Sequence, residues 1–174
     1  MLKRLANIAL SNTDITDLLD DKVKILLYPD IIKFKTIDEL LKPFGAVIIL
    51  FESKPNYGHW CAIWKLNKNT VSFFNSYGGY PDDSLLHIDE GFRWISNQKY
   101  PYLSHLLVQS PYNLTYNEYN YQAHSQDIKT CGRWCVLRIL LRDLNDDQFH
   151  KFVVDNIRRY HITPDELVTL LTTI

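Results

Sequence analysis

The chain has 174 residues, 46% of them hydrophobic and 22% charged, which is usual for one globular domain with a substantial core. Its formal net charge of −1 at pH 7 argues against nucleic acid or an anionic membrane as a partner, because both are bound by strongly basic surfaces. No apolar run approaches the roughly 18 residues that a membrane-spanning helix needs.

The three cysteines, Cys61, Cys131 and Cys135, argue against a disulfide scaffold and for a reducing compartment. No paired Cys-x-x-Cys or His-x-x-x-His element is present, so we expect neither zinc nor another cofactor. The basic and apolar N-terminus is interrupted by Asn7 and followed by several aspartates, which is wrong for a signal peptide. The protein is therefore not expected to be secreted.

Residues 1–44 are predicted to be helical and irregular. Thr36 and Glu39 have the spacing of a capping box, and Pro43 should end the helix that they begin. The continuous apolar run 46–51 predicts a buried central strand.

The next two predicted strands, 60–64 and 70–74, are joined by a polar turn and form a hairpin. His59 lies at the start of the first strand and Asn75 at the end of the second. Because these ends are adjacent in an antiparallel pair, the two side chains should meet at one rim of the sheet.

The second half of the chain predicts further elements, taken in order. They are a helix around 90–98, a strand at about 103–109, an extended segment ending near Gln122, a helix from Cys131, an amphipathic helix over 146–159 and a capped helix from Thr163. This order indicates a single α+β domain over 1–174, with a central, mostly antiparallel sheet flanked by helices. Its parts are a helical N-terminal part (1–44), a core (45–142) and C-terminal helices (143–174).

The most informative segment is 130–135, Thr-Cys-Gly-Arg-Trp-Cys, which predicts a loop that turns directly into a buried helix. The thiol of Cys131 would then lie at the helix N-terminus, where free N–H groups and the helix dipole favour a thiolate. Thiolate is the nucleophilic form of cysteine. Cys61 and Cys135 are interpreted as buried packing residues.

A cysteine, a histidine and an amide are the components of a thiol-protease site. His59 would act as general base and Asn75 would orient it, although a neutral amide cannot stabilise the imidazolium by charge. The structural alternatives are a strand-end histidine bonded to backbone and a turn-forming asparagine.

The order of these motifs resembles that of the adenovirus-type and Ulp-type cysteine peptidases. The motifs that resemble those of the family are, in chain order, Gly58-His59-Trp60, then Asn75 sixteen residues after the histidine, then a glutamine, then Cys131-Gly132. Within that clan, the chain looks most like the virion-maturation proteases of large DNA viruses and virophages. The resemblance covers roughly residues 45–142.

This resemblance implies a papain-like site in permuted order: His, Asn, Gln, Cys. Asn75 stands where many of those families have an acid. The backbone N–H of Cys131 and a glutamine amide would form the oxyanion hole, and both Gln126 and Gln122 are candidates. Trp60 and Gly132 are expected beside the substrate, with Trp60 either shielding the His–amide hydrogen bond or belonging to the core.

The resemblance further implies a cysteine endopeptidase that cleaves viral precursor or capsid proteins after small residues such as glycine during virion maturation. Such a protein would work in the host cytoplasm or viral factory and be packaged in the virion. A deubiquitinase or SUMO-type isopeptidase is an alternative, because those tails also end in Gly-Gly. Acyl transfer on the same triad and a non-catalytic structural or binding module of a virion are the others.

Overall fold

The computed structural model describes residues 1–173. They form a five-stranded sheet in the order β1-β2-β3-β4-β5: Lys24–Leu27, Ala46–Lys54, Tyr57–Asn67, Thr70–Asn75 and Asn113–Tyr116. The α-helices of these residues, α1 to α8, are Leu2–Ala6, Asn12–Leu18, Ile37–Leu41, Glu90–Ile95, Tyr102–Val108, Cys131–Leu140, Asp146–Tyr160 and Pro164–Leu171. Two 3-10 helices span Tyr28–Lys33 and Asp83–His87.

The sheet is mixed. The β2–β3 and β3–β4 pairings are antiparallel, whereas β1 and β5 add to the two edges in parallel. The prediction of a mostly antiparallel sheet therefore holds only for its centre. Strand β1 was not predicted within the N-terminal part, because its four residues give little local signal and its pairing depends on β2.

Several predicted elements are confirmed, namely the central strand β2, the β3–β4 hairpin and the helices α4, α6, α7 and α8. The strand predicted at 103–109 is wrong, because this segment is helix α5. Its buried residues are Leu103, Leu106 and Leu107. Their spacing of three and four positions follows the period of a helix, so the segment buries one helical face against the sheet.

Helices cover both faces of the sheet and create two apolar cores. One core includes Trp64, Trp134 and Phe149, and the other includes Tyr28 and Phe73. Helix α6 is buried at every position from Cys131 to Ile139. Its position is therefore fixed by packing on all sides, and so is the position of the cysteine that begins it.

A buried carboxylate ties the start of α6 to α8. Asp165 accepts hydrogen bonds from the Thr130 hydroxyl at 2.6 Å and from the Trp134 indole at 3.3 Å. Its other oxygen accepts from the backbone N–H of Ala123 at 2.9 Å. The residue before Cys131 and the loop around Gln122 are thus held by one side chain.

We expect Asp165→Ala to lower the free energy of unfolding by about 3 kcal/mol or more, because it leaves several buried donors without an acceptor. Urea denaturation measures this loss. The control is Asp155→Ala, which removes only an exposed ion pair with Lys151 and should cost less than about 1 kcal/mol. Equal losses for the two variants would contradict the anchoring role of Asp165.

Candidate active site

A cavity of about 760 Å³ opens where β3 begins and β4 ends. Its walls come from the sheet, from the first residue of α6, from the loop between α1 and α2 and from the segment between β5 and α6. The lining includes five of the residues predicted from the sequence: His59, Trp60, Asn75, Gln122 and Cys131. The fold therefore brings together residues that are separated by up to 72 positions in the chain.

His59 and Asn75 meet as the hairpin predicts. Cys61 is paired directly opposite Asn75, and His59 lies two residues before Cys61 on the same strand. Residues two apart on a strand share a face, so His59 is the diagonal neighbour of Asn75. The His59 Nε2 to Asn75 Oδ1 distance is 2.8 Å.

The surroundings of Asn75 fix which end of its amide faces the histidine. The backbone N–H of Tyr77 donates to Oδ1 at 2.9 Å, and Nδ2 donates to the Ser84 hydroxyl at 3.3 Å. Because a backbone N–H can only donate, the atom that it meets is the oxygen. His59 must therefore donate from Nε2, and in the neutral ring Nδ1 is the basic nitrogen.

Asn117 holds the backbone of Asn75, a role that the sequence does not indicate. The β4–β5 ladder ends at the pair Phe73 and Tyr116. Beyond it, Asn117 Oδ1 accepts from Asn75 N at 3.2 Å and Asn117 Nδ2 donates to Asn75 O at 2.7 Å. The buried side-chain amide thus continues the ladder in place of a peptide group. An asparagine after a strand gives no local signal of this function.

Tyr77, not Trp60, covers the imidazole. The Tyr77 ring stacks on His59 with centroids 4.9 Å apart and planes 18° apart, and His124 stacks on Tyr77 at 4.4 Å and 15°. Trp60 forms part of the cavity wall but is buried in the core that faces α6. Of the two roles expected for Trp60, core packing is the one observed.

Gly132 packs against the core instead of contacting the cavity. A Cβ atom at Gly132 would lie 3.2 Å from Trp60 Cδ1 and 3.3 Å from Leu10 Cβ. Glycine therefore permits the close approach of α6 to β3. Within the described chain, Gly132 is not among the lining residues, so the expected substrate contact is not observed.

The two glutamine candidates have different environments. Gln126 is exposed and lies outside the cavity lining of the described chain, whereas Gln122 is buried within it. Gln122 Nε2 donates to the Ile128 carbonyl at 3.3 Å, and Oε1 accepts from the Ser76 hydroxyl at 2.8 Å. The carbonyl can only accept, which fixes the orientation of this amide.

Burial, not the helix terminus, dominates the acidity of Cys131. Burial raises the pKa of its thiol, and hydrogen bonds from the backbone N–H groups of Trp60, Gly132 and Cys131 offset this only in part. The expected thiolate preference is thus wrong in direction for the free protein.

The histidine is also neutral. Burial lowers the pKa of His59 to about 4, against the hydrogen bond to Asn75, which raises it, and with His87, which lowers it further. At neutral pH the site therefore holds a thiol and a neutral imidazole.

No protein-family profile matches the sequence. The chain is 55% identical over 171 residues to "Uncharacterized protein V9" of the Sputnik virophage, and the match covers 98% of each chain. The chain belongs to the family of this virophage protein. Among residues 1–173, no helix is both long and apolar enough to cross a membrane.

Iodoacetamide should modify Cys131 before Cys61 and Cys135, because Cys131 lines the cavity and the other two do not. Burial raises the pKa of all three thiols. The thiolate is the reactive form, so the rate at Cys131 should keep rising above the ordinary thiol pKa of about 8.5. Peptide mapping by mass spectrometry at stepped pH measures both effects. A plateau reached below pH ~7 would instead indicate a preformed thiolate–imidazolium pair.

Proposed function

We propose that the protein is a cysteine endopeptidase in which Cys131 is the nucleophile, His59 the general base and acid, and Asn75 the orienting residue. The observation that carries this proposal is the His59–Asn75 hydrogen bond in a cavity that Cys131 lines. A nucleophile beside a base that is oriented by a third group is the recurring arrangement of covalent hydrolysis.

In the proposed reaction, Sγ of Cys131 attacks the scissile carbonyl carbon while Nδ1 of His59 takes the thiol proton. The tetrahedral intermediate collapses to a thioester as His59 gives this proton to the leaving amine. Water, deprotonated by Nδ1, then hydrolyses the thioester and restores the thiol. Because burial favours the neutral forms of both groups, the proposed reaction starts from a thiol and a neutral imidazole.

Gln122 is the glutamine that we assign to the oxyanion hole, together with the backbone N–H of Cys131. Its Oε1 is held by Ser76, so its donor end is turned away from that hydroxyl. Nε2 has two hydrogens, and the one not directed at Ile128 can donate to the developing oxyanion. The burial of Gln122 keeps this donor in place before the substrate arrives.

The proposed substrates are viral structural precursors, cleaved after small residues such as glycine during particle maturation. The similarity to a virophage protein supports a viral setting. The resemblance to maturation proteases supplies the preference for small residues and the proposed location in the host cytoplasm or viral factory, with packaging in the virion.

Peptide probes with a C-terminal glycine electrophile should label Cys131, and the purified protein should cleave capsid proteins of its own virus. Cys131→Ala should abolish labelling and cleavage without loss of fold, since alanine removes only the sulfur atom from this buried position. Cys135→Ala, one turn later, is the matched control and should retain both. Mass spectrometry maps the labelled residue.

Cleavage by the Cys131→Ala protein would refute the proposal. Labelling by a ubiquitin-type C-terminal electrophile, with no reaction towards the peptide probe, would favour the isopeptidase alternative over the endopeptidase.

Gln122→Ala should lower kcat by about 10²–10³-fold with little change in KM, because an oxyanion donor acts mainly in the transition state. Gln122→Glu keeps the size and the acceptor for Ser76 but loses the donor, and it should be similarly impaired. Gln126→Ala is the control and should match the wild-type protein. Steady-state kinetics decide the assignment, and a larger loss for Gln126→Ala would reverse it.

A further inference from the structure

The residue that orients His59 carries no charge. In the proposed peptidase, on which this inference rests, His59 becomes positively charged when it takes the thiol proton. Asn75 fixes the ring through Oδ1 but brings no negative charge to balance it. Burial makes that charge costly, because the low pKa of His59 already reflects the lost hydration.

We propose that Tyr77 is a positioning residue that stabilises the imidazolium form of His59 through the π face of its ring. The two rings are nearly parallel, and their centroids are 4.9 Å apart. A cation within about 6 Å of an aromatic centroid is attracted by the ring quadrupole, and the attraction is stronger where water is excluded. Tyr77 thus supplies part of the stabilisation that a carboxylate would give.

The backbone holds the Tyr77 ring in this position. Its own N–H donates to Asn75 Oδ1 at 2.9 Å, and the N–H of Gly78 donates to Asn75 O at 2.8 Å, which closes a tight turn. Gly78 has a φ of +79°, and a Cβ atom there would lie 2.6 Å from the Glu118 carbonyl oxygen. The turn therefore requires glycine, and it places the ring and the accepting oxygen against the same imidazole.

Several other titratable groups line the cavity around His59, Tyr57 and Lys129 among them. His87 is on the second 3-10 helix, Cys131 begins α6, and Asp83 lines the same cavity with its carboxylate accepting from Tyr80 N. His124 also stacks on Tyr77, with ring centroids 4.4 Å apart. A test must therefore change the quadrupole of the Tyr77 ring without altering any of these groups.

The experiment follows the pKa of His59 by NMR in the Cys131→Ala protein, where no thiol couples to it. In successive variants, Tyr77 is replaced by phenylalanine, by difluorophenylalanine and by trifluorophenylalanine. The fluorine atoms weaken the ring quadrupole with little change in the size of the ring. We expect Tyr77→Phe to leave the pKa of His59 nearly unchanged. The fluorinated rings should lower it stepwise, by about half a unit in all.

The matched control is the same series at Tyr119, which stacks on His150 with centroids 3.6 Å apart and planes 13° apart. The fluorinated series at position 119 should leave the pKa of His59 unchanged. A constant pKa across the fluorinated series at position 77 would overturn the proposal, since a ring that only covers His59 does so equally with or without fluorine.

Kinetics of the active protein separate this inference from the proposed function. Trifluorination at position 77 should lower kcat about threefold with KM unchanged, in proportion to the pKa shift. If the protein cleaves no substrate but the pKa of His59 follows fluorination, the peptidase proposal fails and the ring contact stands. If cleavage occurs and the pKa does not move, the Tyr77 inference fails alone.

Discussion

The Asn75 side chain accepts two hydrogen bonds through a single oxygen, one from His59 and one from the backbone of Tyr77. This carboxamide belongs to the last residue of β4 and lines the cavity of the candidate site. Its orientation is set by the backbone N–H of Tyr77, which can only donate, and it is buried, so rotation would leave several polar atoms unpaired. One oxygen thereby determines the tautomer of the imidazole, the position of its ring and the course of the following turn.

Burial also determines the protonation states of Cys131 and His59. A helix start favours a thiolate, but Cys131 is surrounded by protein, and the loss of hydration outweighs the three N–H groups near it. The same burial keeps His59 neutral. A site of this kind rests in its uncharged form, and the proposed reaction must create the charge. The groups that stabilise that charge, in the proposed reaction, are therefore as important as the nucleophile itself.

Much of this arrangement could be predicted from the sequence, for identifiable physical reasons. The apolar run of β2, the hairpin and the cap at Thr163 are local signals, and the helix at Cys131 follows from glycine and a long apolar stretch. Strand β1 and the parallel edges depend on distant partners, which no local pattern encodes. The apolar residues of α5 follow a helical period in the sequence itself, so the strand predicted there is wrong for a local reason.

The supporting residues were the least predictable. Asn117 and Tyr77 act through atoms that any asparagine or tyrosine has, and only the fold brings them to Asn75 and His59. The burial that reverses the expected acidity of Cys131 is likewise a property of the complete packing. A helix-start cysteine can be predicted from the sequence, but its loss of hydration cannot.

The segment between β5 and α6 shows why the site requires most of the chain. Its residues 117–130 contain no helix or strand, yet they carry Gln122 into the cavity wall. They are held by Ser76 directly after β4, by Asp165 from α8 and by a hydrogen bond from Lys129 N to Ala6 O in α1. Two of these anchors lie outside the 45–142 region that carries the family resemblance. The position of Gln122 therefore depends on contacts from both ends of the chain, which couples the geometry of the site to the packing of α1 and α8.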